Sequence, residues 1–118
     1  MGSKIVVDTN VIISGFGWDG ICRKALAKAL DYEWYTSYEQ LLEIERVLTY
    51  PRLRNVSKGI IGFMEENCKI VSISGKTSGD DMIRETADAI NAVIITGDKE
   101  FLTFPNTISV REFLEKFK

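Results

Sequence analysis

Two kinds of hydrophobic pattern alternate along the chain: short unbroken apolar runs, and longer stretches with apolar residues every three or four positions. Ile5-Val6-Val7 is a run of the first kind, ended by Asp8-Thr9-Asn10, and it predicts a buried strand over Lys4–Val7. A short helix is expected from Asn10 or Val11 to Ser14, followed by a turn where Gly15, Gly17, Asp19 and Gly20 surround Phe16 and Trp18. Cys22, Ala25, Leu26, Ala29 and Leu30 then recur at helical spacing, the apolar face of a second helix. Glu33–Thr36 reads as a strand, and Ser37 with Gln40 forms a Ser-x-x-Gln capping box opening a helix that ends near Leu48, before Pro51.

The same alternation continues to the end. A helix is expected from about Ser57 to Glu66, a strand from Lys69 to Ile73, and a helix starting at Ser78 or Asp80 and running to Ile90. Val93–Ile95 forms another apolar run, closed by Thr96-Gly97-Asp98. A short helix over Glu100–Phe104, a brief strand at Ile108, and a closing helix with Val110, Phe113, Leu114 and Phe117 on one face complete the set. Strands separated by helices imply an α/β class with a central, mainly parallel sheet. At 118 residues, the span 1–118 is expected to be one domain.

Composition narrows the chemistry. The sequence has no histidine, which removes Ser-His-Asp and Cys-His catalysis and histidine-bound zinc. Cys22 and Cys68 are too few for a disulfide framework, and Cys22 is expected to be a reduced core residue. Net charge is −2, so a polyanion would have to be held by a local patch or through bound cations. No apolar run approaches the ~18 residues of a membrane span, and the first run is broken by Asp8 and Asn10, unlike a signal peptide. The expected location is the cytoplasm.

The acids carry the strongest pattern. Asp8 and Asp98 each follow an apolar strand, so two parallel central strands would deliver both carboxylates to one edge of the sheet. Asp8 alone serves equally well as a helix cap, and its partners decide between the two uses. On the helix after Gly79, Ile83, Thr86, Ala87 and Ile90 share a face; Asp80 sits at its edge and Asp81 points away. On the helix after Ser37, Glu43 and Glu45 flank the apolar face on opposite sides, and periodicity does not choose between them. Four converging carboxylates ionise together only if cations neutralise them, and hard oxygen ligands suit Mg²⁺ or Mn²⁺. Such a site activates water and stabilises the departing oxygen of a phosphodiester.

Four pieces taken in order resemble the PIN-domain ribonucleases, especially the VapC-like toxins of prokaryotic type II toxin–antitoxin pairs. They are Val7-Asp8-Thr9-Asn10-Val11, Ser37 through Glu43-Ile44 to Val47-Leu48, Asp80-x-x-Ile83-x-x-Thr86-Ala87, and Ile95-Thr96-Gly97-Asp98-Lys99-Glu100-Phe101. The resemblance implies a three-layer α/β/α sandwich and RNA hydrolysis dependent on one or two Mg²⁺ or Mn²⁺ ions. It also implies an antitoxin partner and a homodimer. It makes Asp8, Glu43, Asp80 and Asp98 the catalytic and metal-binding acids, choosing Glu43 over Glu45, with Thr9, Asn10 and Thr96 orienting the carboxylates.

Arg46, Arg52, Arg54 and Lys58 are candidates for RNA phosphate contacts. Phe16 and Trp18 have the chemistry to stack on bases, but core or dimer packing is their expected use. Gly75-Lys76-Thr77 imitates the end of a phosphate-binding loop, yet that pattern needs glycine at position 70, where Ile70 stands. The rival to a nuclease is a catalytically silent PIN-like module that binds RNA or protein.

Overall fold

The computed structural model describes residues 3–53, 56, 59–73 and 80–117, with Asp80 by its backbone alone. Five strands form one sheet: β1 (Lys4–Val7), β2 (Glu33–Ser37), β3 (Lys69–Val71), β4 (Val93–Thr96) and β5 (Thr107–Ser109). Their order is β3-β2-β1-β4-β5 and every pairing is parallel. β1 lies in the middle, where its three apolar residues are buried on both faces. Ile5 and Val7 point into one core, and Val6 into the other. Fully burying an aliphatic side chain of this size contributes about 1.5–3 kcal/mol.

The helices follow from the direction of travel. From β1 outward to β3 the chain makes α1 (Thr9–Gly17), α2 (Ile21–Ala29), α3 (Tyr38–Val47) and α4 (Ile60–Asn67). Right-handed crossovers place this leg on one face. Residues of all four helices join Ile5, Val7, Trp34 and Ile95 in the larger core. The chain then reverses, so α5 (Asp80–Ile90) covers the opposite face, where Met82, Ile83 and Ala87 pack with Val6, Ile94 and Phe101. α6 (Val110–Glu115) returns to the first face through Val110 and Phe113. The result is the expected α/β/α sandwich, with one layer made mainly by α5.

Two local expectations differ from the structure, and a third falls partly outside the described residues. Gly15 and Gly17 lie inside α1, not in a turn. A Cβ at Gly15 would come within 2.4 Å of Leu26 Cδ1, so this glycine is there for the close approach of α2. α4 begins at Ile60, and the proposed start at Ser57 lies outside the described residues. The capping box is half made: the Gln40 amide N–H donates to Ser37 Oγ at 2.9 Å, but the Gln40 side chain turns across the sheet.

Candidate functional site

In an open parallel sheet, the crevice forms beyond the carboxyl ends of the strands where their order reverses. Here that place lies between β1 and β4, and Asp8 and Asp98 stand on its two sides. α5 runs from the carboxyl edge of β3 back to the start of β4, so its first residue, Asp80, is at the same edge; its side chain lies outside the described residues.

Asp8 is buried, at 5% exposure. It occupies the N-cap position of α1, and its carbonyl accepts the amides of Val11 and Ile12, yet its carboxylate makes no capping bond. Oδ2 instead accepts the Thr96 hydroxyl at 2.9 Å. The capping alternative for Asp8 is therefore not the one the fold uses. Thr96 is fully buried, and its Oγ1 also accepts the Asp98 amide at 3.0 Å. One hydroxyl thus joins the two strand ends, with its proton directed at Asp8. The backbone repeats the link: the Asp8 amide donates to the Ile95 carbonyl at 2.9 Å.

Asp98 is exposed, and its Oδ1 accepts the Glu100 amide at 2.9 Å, a local turn that fixes the carboxylate relative to its own loop. Asp8, Asn10, Ser14, Cys22, Gly97 and Asp98 line a cleft of about 270 Å³. Asn10 is exposed on its wall and makes no side-chain hydrogen bond with the described residues, so Asn10 does not orient a described carboxylate.

Glu43 is tied to the site through Thr9, whose hydroxyl donates to Glu43 Oε1 at 2.9 Å. Glu45 is exposed and lines a separate cleft with Leu48, Thr49 and Ile61, so of the two acids only Glu43 is joined to Thr9. Asp81 is exposed and pairs with Arg84 at 3.0 Å, the solvated role expected of it.

Behind Thr9 lies a residue that sequence reading credited only with a cap. Gln40 is fully buried; its Nε2 donates to the Val7 carbonyl at 2.7 Å and reaches Thr9 Oγ1 at 3.4 Å, while Thr36 donates to its Oε1 at 2.6 Å. This amide pins the end of β1 immediately before Asp8. The signal in the sequence was its position four residues before Ile44, on the apolar face of α3, where a polar side chain must find partners.

Of the basic candidates, two fall among the described residues. Arg46 is exposed and donates to the Tyr50 hydroxyl at 2.8 Å. Arg52 is exposed beside Asn10, Ser14 and Trp18 in a neighbouring depression. Arg54 and Lys58 lie outside the described residues. Phe16 packs edge-on against Phe63 with centroids 5.1 Å apart, as expected, but Trp18 is 56% exposed and does not serve the core.

The donor atoms of the cleft are of the hard, oxygen kind. The cleft offers carboxylate and hydroxyl oxygens, and burial pushes the Cys22 thiol up, which disfavours the thiolate form that ligates metals. Among the described residues, no group of three acids or thiols is close enough to hold a metal ion.

All-parallel strands in the order β3-β2-β1-β4-β5 with helices on both faces make a doubly wound α/β fold, and its likeness to solved structures marks it as PIN-like. The same fold occurs in VapBC2 from Rickettsia felis bound to a DNA fragment from its promoter; TM-score 0.66, 17% identity, 90% of this chain and 96% of that one covered. It also occurs in a toxin–antitoxin complex from Klebsiella pneumoniae, at TM-score 0.67 and 19% identity over 90% of this chain and 97% of that one. No protein-family model and no curated protein matches the chain. The likeness carries the fold, and in that respect the resemblance of the four motifs is borne out.

Proposed function

We propose that this chain is a divalent-metal-dependent endoribonuclease that hydrolyses RNA phosphodiester bonds and acts in the cytoplasm as the toxin of a toxin–antitoxin pair. The observation that carries the reading is the use made of Asp8. A carboxylate at a helix start, making no capping bond there, is buried and turned to the β1–β4 crevice, where Thr96 holds it beside Asp98. A buried carboxylate is kept for the partners it meets, and the strand reversal is where an open α/β sheet brings a ligand to it.

In this reading Asp8 and Asp98, with Glu43 and Asp80, would hold one or two Mg²⁺ or Mn²⁺ ions, which supply Lewis acidity and charge neutralisation when bound. Thr96 fixes the direction of the Asp8 lone pairs, and Thr9 does the same for Glu43. Gln40 keeps the end of β1 from shifting beneath them. The two structural neighbours are toxin–antitoxin complexes, which supports an antitoxin as partner; a homodimer is part of the same proposal. Among the described residues, no helix is long and apolar enough to cross a membrane.

A silent PIN-like module that binds RNA or protein is the second reading, favoured by the lack of a three-acid group among the described residues. One experiment separates the two. Purified protein with mixed RNA and Mn²⁺ should cut, and Asp8→Asn should cut roughly 10²–10³-fold more slowly. Mn²⁺ should also raise the melting temperature of the wild type by mass action, and much less that of Asp98→Asn. An inert wild type, or equal cutting by Asp8→Asn, removes the nuclease reading.

A further inference from the structure

Next to the acidic cleft is a second depression of about 370 Å³ that shares Asn10 and Ser14 with it. Trp18 and Arg52 form its polar and aromatic walls. The chain has two tryptophans: Trp34 is 1% exposed in the core, whereas Trp18 is 56% exposed. Arg52 is exposed and makes no ion pair or hydrogen bond with the described residues.

Both side chains stand on anchored backbone. The Trp18 amide donates to the Ser14 carbonyl at 3.0 Å at the end of α1, and Leu53, next to Arg52, is buried at 4% exposure. Asn10, whose amide is not spent on a described neighbour, lies on the wall common to both depressions. An exposed indole, an uncommitted guanidinium and an uncommitted amide beside a phosphodiester-type site are the parts of a nucleotide pocket.

We infer that this depression is a subsite for one unpaired nucleotide of single-stranded RNA, adjoining the phosphate that enters the acidic cleft. Its base stacks on Trp18, its phosphate meets Arg52, and Asn10 faces the junction between the two. The inference rests on the nuclease reading for the occupant of the neighbouring cleft. Stacking on an indole face accepts any base, so the subsite selects for an unpaired strand more than for a sequence. A duplex keeps its bases stacked on one another and would not offer one to Trp18.

The test is binding of fluorescein-labelled single-stranded octaribonucleotides, oligo(A) and oligo(U), without divalent metal and at low salt, read by anisotropy and by tryptophan emission. RNA should quench the emission of exposed Trp18. Trp18→Ala should weaken binding about 5- to 150-fold, and Trp18→Phe should retain much of it. Arg52→Ala should lower the slope of log affinity against log salt by about 0.7. Unchanged affinity in both alanine variants, unchanged Trp18 emission, or no binding by the wild type overturns the subsite. Cutting by wild type with Mn²⁺ while both alanine variants bind normally removes the subsite and leaves the nuclease; quenching without cutting does the reverse.

Discussion

The ends of β1 and β4 are written alike in the sequence, yet the fold treats their acids differently. Ile5-Val6-Val7-Asp8 ends in a carboxylate at 5% exposure, whereas Val93-Ile94-Ile95-Thr96-Gly97-Asp98 ends in one open to solvent. The cause lies in the backbone around each acid. α1 starts at Thr9 and closes over Asp8, while a Cβ at Gly97 would meet nothing within 4 Å beyond its chain neighbours, which leaves Asp98 on an open loop. A strand-plus-acid pattern therefore locates a carboxylate but does not set its rigidity. In this site Asp8 is the fixed member and Asp98 the one placed by its own turn, with the Thr96 hydroxyl between them.

That hydroxyl is where the comparison breaks most easily. Thr96→Val keeps the shape of a fully buried residue and removes the donor to Asp8 and the acceptor of the Asp98 amide together. Losing a hydrogen bond to a buried carboxylate should cost about 3 kcal/mol in urea unfolding without metal, and Thr96→Ser should restore most of it. If Thr96→Val unfolds with the wild type, the two strand ends are not coupled through this atom. A smaller contrast separates the acids themselves. Asp8→Ala strands the Thr96 proton in the core and should cost about 1–2 kcal/mol, while Asp98→Ala should stay within about 0.5 kcal/mol of wild type. Equal losses would mean that burial does not distinguish the two ends.

The sequence carried the frame of this site because period and length are local properties. Apolar runs of three residues announced β1 and β4, and helical spacing placed Asp80 and Asp81 on different sides of α5, with Asp81 found paired to Arg84 at the surface. Glu43 was separated from Glu45 only by resemblance, since their order on the wheel is symmetric; the contact with Thr9 that distinguishes them joins residues 34 apart. Gln40 was harder still. Its local cue, Ser-x-x-Gln, is satisfied by its backbone amide, which hides that the side chain serves Val7, 33 residues away. Gly15 misled for the same reason: a glycine wanted for contact with Leu26 is spelled like one wanted for a turn. What stayed illegible was decided by partners distant in sequence.

The smallest expected effect comes from a third acid, at the opposite edge of the same sheet. Glu33 resembles Asp98 in being held by one main partner, here Lys69 Nζ at 2.9 Å. The Lys69 hydrogen bond and charge pull the Glu33 carboxyl below its ordinary value of 4.5. The same pair raises Lys69 above 10.5. Because the folded Glu33 value is the lower one, its contribution is complete above the unfolded value and fades as pH falls through the folded one. The Lys69 share is complete below its unfolded value and fades as pH rises through the folded one. Solvent and salt screen this exposed pair. The melting temperature of Glu33→Gln should therefore fall only slightly below wild type at pH 6, and the difference should shrink at pH 3 and in high salt. A gap that persists at pH 3 would mean that Glu33 acts by packing. Exposure would then be a poor guide to what a carboxylate contributes, and the weak effect expected for Asp98 would lose its support.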